Sequence, residues 1–439
     1  MLKKSDTMKL WIPKNRKELK QHLNDPLFKN SYFLMASTAV TSVFGFIFWI
    51  LAARFYETAD VGLASAIIAA LGLLAIFSNL GLGIGLIRFL PGAKDKGNSM
   101  INTCFTLSGL ASIVIALIFL AGLEFWSPAL LPVFQHPVFF ASFIFFAVVW
   151  ALNPLISCAF LAKRSTEFTF IQNAIASFLK LALIIPFAVF FSSAFGIFAS
   201  AGMAMSVALL VAIFWFLPKV QQGYFPLPVV QKEVLNEISH YSGGNYIARI
   251  FLENSPLILP LMVINILGAE MSAYLYIAWS IIAILTVIPT SIFNSLFAEG
   301  SNAEETLLIN TKKSLKLLLL LLLPAIIVLL VIADKMLLLF GQAYSQNGTL
   351  LLRIIAVSII PYSINYLYIT IARVKMDISS VIKVSAALTC FTLGLCYFLM
   401  LNIGLPGIGL GWLAGQSIVA TPIALHLLWR YYSLPKLSE

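Results

Sequence analysis

Lys180 stands about midway along an apolar run at residues 168–191. Asn173 and Ser177 precede it at i, i+4, i+7 spacing, so all three share one helical face. A second polar stripe, Tyr241, Asn245, Arg249 and Glu253, recurs at four-residue steps through the apolar run 240–266. Arg353 lies near one end of the run 348–372, followed by Ser358, Tyr362 and Asn365. An ionisable group in hydrocarbon is costly, so it faces a partner or a cavity and marks a functional hypothesis. Three cations against one acid give a net positive lining, which favours an anion such as a phosphate or diphosphate. It disfavours a cationic drug as cargo, and it leaves Glu253 as the one clear candidate for a carboxylate proton relay. The candidate substrate-binding residues are Lys180, Arg249, Glu253, Arg353, Asn245, Asn173 and Asn365. Plainer readings stay open. Arg249 and Glu253 can pair with each other at i, i+4, and Lys180 or Arg353 can stretch toward an interface.

Other chemistry is missing from the chain. GAKDKGNS (92–99) has the glycine spacing of a phosphate loop but carries Asn98 where the phosphate-binding lysine belongs. His22, His136, His240 and His426 have no second ligand at metal spacing, so no metal and no cofactor is expected. Cys104, Cys158, Cys390 and Cys396 all fall within apolar runs and read as core thiols. No connecting loop is long enough to hold a catalytic domain. A carrier is expected rather than an enzyme.

The composition says what must position these groups. Apolar residues make up 60% and charged residues 10%, against roughly 45–50% and 25% in soluble domains; mean hydropathy is +0.96. An all-α polytopic membrane protein follows, since a spanning helix takes about 20 apolar residues. Twelve candidate spans lie at about 31–53, 62–87, 99–122, 138–161, 168–191, 195–217, 240–266, 271–297, 315–333, 348–372, 379–401 and 405–429. With the N-terminus inside, 23 of the 28 Lys and Arg residues fall in inner segments or at the inner ends of spans, and only Arg54 and Lys335 fall in outer segments. That asymmetry places both termini in the cytoplasm; the chain is expected to sit, multi-pass, in the cell's inner (plasma) membrane. Eight of the positive residues crowd into residues 1–30 against three acids. Beside a span, such a tail is a cytoplasmic anchor drawn to anionic membrane lipids, not a nucleic-acid-binding arm.

The sixth span opens FGIFASAGMAMS (195–206) and the twelfth opens PGIGLGWLAGQS (406–417). An offset of 211 superposes Gly196 on Gly407, Ile197 on Ile408 and Ser206 on Ser417. Two six-helix halves are expected: residues 31–217 and 240–430, with a cytoplasmic linker at 218–239 and a tail at 431–439. Parallel repeats of this kind hold a site between them in many transporters. Under the same offset Lys180, Arg249 and Arg353 meet Phe391, Thr38 and Ser142. The charges therefore do not descend from the duplication, and the site is asymmetric.

The segment YFLMASTAVTSVFGFIFWILAARFYETADVGLASAIIAALGLLAIFSNLGLGIGLIRFLP (32–91) resembles the opening of Wzx-type polysaccharide flippases. These belong to the multidrug/oligosaccharidyl-lipid/polysaccharide (MOP) exporter superfamily, which also holds the MATE exporters. Arg54, Gly62 and Arg88 match the pattern: a first span ending Ala-Arg, a short acidic turn, a glycine, and a span closing Arg-Phe. PLILPLMVINILGAEMSAYLYIAWSIIAILTVIPTSIFNSLFAEGS (256–301) is similar to that family's seventh and eighth spans. The resemblance runs from about Asn30 to Arg430. It implies two six-helix bundles in a V around a central cavity, and transfer of a polyprenyl-diphosphate-linked oligosaccharide to the outer leaflet. Polysaccharide polymerases and glycosyltransferases are then expected partners. Competing readings are a drug or metabolite exporter of the same superfamily and, further off, a membrane polymerase or ligase.

Overall fold

Lipid offers no water to backbone N–H and C=O groups, so a chain this apolar closes those bonds within helices. The structure, a computed structural model, describes residues 26–93, 96–302 and 307–433, with no strand among them. The first half of the chain carries α1 (Pro26–Phe55), α2 (Thr58–Ser78), a short α3 (Leu82–Phe89), α4 (Gly97–Ala121), α5 (Pro137–Ala162), α6 (Thr166–Phe190) and α7 (Ala194–Val211). The last of these runs on through a π-turn to Val220. The second half carries α8 (Lys232–Ile266), α9 (Ala269–Asn302), α10 (Leu307–Leu338), α11 (Gln342–Val374), α12 (Ile378–Ile403) and α13 (Leu405–Ser433).

Among the described residues, eleven helices are long and apolar enough to cross a membrane, and Asn254–Ile266 adds a shorter apolar stretch at the end of α8. Two details differ from the sequence expectation. The seventh span is the apolar end of a helix that already begins at Lys232, so the connection before it is shorter than 218–239. The second span is not continuous. It stops at Ser78, and Leu80 (φ 50°) and Gly81 (φ 76°) turn the backbone through the left-handed region before α3 starts. Glycine accepts that conformation freely and leucine does so at a cost. The basic segment up to Asp25 and the tail from Leu434 lie outside the described residues.

Neighbouring helices pair in the same way in each half. α1 packs on α6 and α6 on α7; in the second half α8 packs on α12 and α12 on α13. The halves meet chiefly through α2, which lies against both α8 and α9. Small residues set these distances. Gly407, Gly411 and Gly415 let α13 ride on the backbone of α12: a Cβ at Gly411 would come within 2.5 Å of the Cys396 amide nitrogen. Gly62 is tighter still, since a Cβ there would stand 1.8 Å from the Ala269 carbonyl oxygen at the start of α9.

Polar ties hold the two ends of the bundle. At the Lys29 end, the Lys29 ammonium pairs with Glu167 at 2.9 Å and Thr166 donates to Asn30 Oδ1 at 2.8 Å. There too, Asn98 and Asn102 donate to the carbonyls of Gly223 and Phe225, which pins the connection between the halves. Burial of Tyr224 in this connection pushes its phenol well above its ordinary range. Asp377 caps α12 by accepting from the Ser380 amide at 3.0 Å, and that bonding holds its carboxyl below the usual carboxylate range. At the opposite end, Arg54 donates from Nε to Leu339 O and from Nη2 to Leu338 O, both at 2.9 Å. Those carbonyls close α10, where cations are favoured. Tyr56 donates to Ile184 O at 3.2 Å; burial and the nearby Asp60 push its phenol up to about 12, so it stays a donor.

Candidate functional site

A cavity of about 390 Å³ lies between the halves of the chain. Its wall comes from α1 (Thr41, Ser42, Gly45, Phe46, Trp49), α2 (Ile68, Ala69, Gly72) and α5 (Trp150) on one side. From the other side come α8 (Pro256, Leu257, Leu259, Pro260) and α9 (Leu275, Tyr276, Trp279, Ser280, Ala283, Ile284). Five of these wall residues are aromatic: Phe46, Trp49, Trp150, Tyr276 and Trp279. Trp49 and Tyr276 face each other across the halves with centroids 4.4 Å apart, and Trp279 meets Trp412 edge-on at 4.5 Å. A second cavity of about 260 Å³ shares Gly72, Trp150 and Leu257 with the first, so the two adjoin. Its further wall is Ala75, Ile76, Asn79, Asn153, Pro154 and Met205. Pro256 and Pro260 in α8 and Pro154 in α5 lie in these walls; a proline removes a helical hydrogen bond and gives the helix a place to bend.

Lys180 lies behind the Gly45 wall of the first cavity and, like Arg353, is not among the lining residues of either cavity. Its Nζ lies 5.5 Å from the centroid of the Phe48 ring. A Cβ built on Gly45, a wall residue, would be 3.7 Å from that nitrogen, so the ammonium lies behind Gly45 and is not itself part of the wall. No carboxylate among the described residues reaches Lys180 as an ion-pair partner. A cation at the centre of a membrane costs on the order of 3 kcal/mol on insertion scales, and a ring returns about 0.5–2 kcal/mol of it.

The other expected site residues divide. Asn173, on the same face of α6 as Lys180, donates to Ser37 Oγ at 2.8 Å and ties α6 to α1. Arg353 donates from Nε to Leu330 O at 3.0 Å, an exposed contact from α11 to α10, and lines neither cavity. Asn365 is buried and bonds Gln416 through both its backbone carbonyl (3.0 Å) and its side chain (2.9 Å). That amide pair joins α11 to α13 away from both cavities. Asn245, Arg249 and Glu253 sit on the α8 backbone at four-residue steps, and their side chains lie outside the described residues. The sequence reading passed over the aromatic wall and the carboxamides Asn79 and Asn153. Tryptophan deep in spans, such as Trp49, Trp150 and Trp279, was the available signal, since membrane Trp otherwise favours the interfaces.

A family model described as polysaccharide biosynthesis protein matches residues 50–349. The chain belongs to the polysaccharide biosynthesis protein family. No curated protein sequence matches this family member. In fold it is similar to a multidrug resistance MATE family transporter of the MOP superfamily solved inward-facing, with TM-score 0.69 and 14% identity over 92% of this chain and 99% of that one. The outward-facing form of a multidrug resistance MATE family transporter matches with TM-score 0.64 and 15% identity, over 95% and 99%. A MOP superfamily transporter from Pyrococcus furiosus Vc1 (DSM3638), described as having a binding pocket of reversed polarity, matches with TM-score 0.60 and 15% identity, over 97% and 100%. This polysaccharide biosynthesis protein is therefore a polytopic all-α membrane protein with the MATE fold.

Proposed function

We propose that this protein is a flippase. It carries a polyprenyl-diphosphate-linked oligosaccharide across the cytoplasmic membrane for surface polysaccharide (O-antigen, capsule or exopolysaccharide) biosynthesis. The observation that carries this reading is the Lys180 ammonium behind the wall of an aromatic cavity between the halves of a polysaccharide biosynthesis protein. The two six-helix halves, 31–217 and 240–430, rock about their contact so that the cavity opens to one side at a time. Lys180 and Arg249 hold the diphosphate. Hydroxyl and amide groups meet the sugar, and the prenyl tail stays in lipid. Neutralising the diphosphate in the cavity spares the cost of moving bare charge through hydrocarbon. Both termini face the cytoplasm, where the basic tail meets anionic lipid and where the glycosyltransferases that build the cargo work; a polysaccharide polymerase takes it on the far side. No step breaks a covalent bond, so the protein is not an enzyme.

Depletion of the protein tests the reading directly. Polyprenyl-diphosphate oligosaccharides are expected to accumulate in extracted lipids, read by mass spectrometry, with the accumulated mass identifying the cargo. An unchanged lipid profile together with unchanged surface polysaccharide would refute it. The second reading is a drug or metabolite exporter, favoured by the apolar, ring-lined wall of the larger cavity. Dye efflux that rises when the protein is overexpressed would select that reading.

A further inference from the structure

We propose that Asn79 and Asn153 form a carboxamide subsite that hydrogen-bonds an uncharged oxygen of a glycan, a hydroxyl or an N-acetyl carbonyl, in the smaller cavity. This deepens the flippase reading and rests on it. The subsite is separate from Lys180: Lys180 lies behind Gly45 of the larger cavity, whereas the two amides line the smaller one beyond Trp150.

Asn79 carries the argument. It closes α2 at the helix break, is only 4% exposed and lines the cavity. Its Oδ1 accepts from the Gly83 amide at 3.4 Å, which caps α3. Its Nδ2 is buried and has no partner among the described residues. A buried amide donor is rarely left unused, and where one is, the group has another role to explain it. Asn79 follows a 21-residue apolar helix, Thr58–Ser78, and precedes a second, short apolar helix, so it sits at a junction of two helices that also lines the cavity. Asn153, across the cavity on α5, is fixed from behind: Gln172 Nε2, itself fully buried, donates to its Oδ1 at 2.7 Å. That bond occupies the Asn153 oxygen and leaves its nitrogen to donate. Gln172 is thus a positioning residue.

Among the described residues no charged side chain lines this cavity, and two amide donors there suit a neutral oxygen ligand better than a phosphate, which calls for cations. The shared wall adds a second match. Trp150 lies one turn before Asn153 on the same face of α5, so an indole plane adjoins the amides. A pyranose presents the same combination, an apolar C–H face rimmed by hydroxyls. On α2, Gly72, Ala75, Ile76 and Asn79 fall at i, i+3, i+4, i+7 and form one wall of the cavity. The three residues before Asn79 are small or apolar and leave it the one polar group on that stripe.

The test uses the full chain in lipid nanodiscs and two probes: inorganic pyrophosphate, and the free glycan released by mild acid from the lipid that accumulates on depletion. Asn79→Ala and Asn153→Ala are each expected to weaken glycan binding roughly three- to tenfold, the worth of one neutral hydrogen bond, and to leave pyrophosphate binding unchanged. Lys180→Ala is expected to do the reverse. Glycan binding at the unsubstituted level in both amide variants would overturn the subsite. Equal loss of both probes would also overturn it, because the amides would then serve only to hold the helix break. Should Asn79→Ala fail to reach the membrane, Asn153→Ala, mid-helix and away from the break, carries the same comparison. If depletion leaves both the lipid profile and the surface polysaccharide unchanged, the flippase reading itself falls and the subsite with it, an outcome distinct from the others.

Discussion

At the scale of single residues, Lys180 is the side chain whose surroundings leave most to be explained. Its ammonium is covered by the Phe48 ring and lies beyond Gly45 at the cavity wall. If the charge serves an anionic cargo, Lys180→Ala abolishes transport while the protein still accumulates in the membrane. Lys180→Arg retains part of the activity, since it keeps the charge but alters the geometry. Clearance of lipid-linked oligosaccharide by a depleted strain carrying each variant reads this out, and wild-type clearance by Lys180→Ala would refute the role. Charge inside a span was legible in the sequence because hydrocarbon makes it conspicuous. Its destination was not. Arg353 and Asn365 were candidates alongside Lys180, yet one donates to a neighbouring helix carbonyl and the other pairs with Gln416. Which of these ends a polar side chain finds depends on the helix packed beside it, and hydropathy carries no information about neighbours.

Among the helices, glycine decides how closely partners approach, and the same residue type has opposite meanings one helix apart. Gly411 on α13 lies against the α12 backbone, whereas Gly394 on α12 has nothing within 4 Å of where a Cβ would stand. Gly411→Ala is therefore expected to lower the melting temperature of the detergent-solubilised protein through overpacking, by about 1–3 kcal/mol of stability. Gly394→Ala is expected to raise it, by about 0.5–1 kcal/mol, because alanine is the better helix former. Shifts of the same sign in thermal unfolding would contradict this assignment. Span existence was readable because only helices satisfy the backbone in lipid. The interruption after Ser78 was hidden, because Leu80, Gly81 and Leu82 continue the apolar run that marks a span. Hydropathy averages over about twenty residues and cannot register two residues at positive φ.

Across the whole molecule, the halves are fastened at the Arg54 end. Arg54 grips the last carbonyls of α10, Phe46 meets Phe340 edge-on at 5.3 Å, and Asn265 of α8 donates to Ser127 Oγ at 3.1 Å. Arg54→Ala removes two bonds that cross between the halves. It is expected to raise the labelling rate of Phe340→Cys by a membrane-impermeant maleimide roughly three- to tenfold, in a background free of the native cysteines. An unchanged rate would mean that Arg54 merely anchors its helix. The pairs between the halves that close this end, Trp49 with Tyr276 and Gly62 with Ala269, lie more than two hundred residues apart. Single-sequence periodicity assigns faces to helices but not faces to each other, so the make-up of the cavity waited on the structure.

The contact at Gly62 has a mechanical consequence. Backbone meets backbone there, so nothing soft lies between α2 and the start of α9, and the point behaves as a fulcrum. At 1.5 Å per residue, Asn79 sits about 25 Å down the lever arm from it. A tilt of about 10° at Gly62 would swing Asn79 by roughly 4 Å, enough to carry a carboxamide from hydrogen-bonding distance to none. The grip on a sugar and the leverage that moves it would then be two ends of the same helix, and release of cargo would follow from the stroke itself.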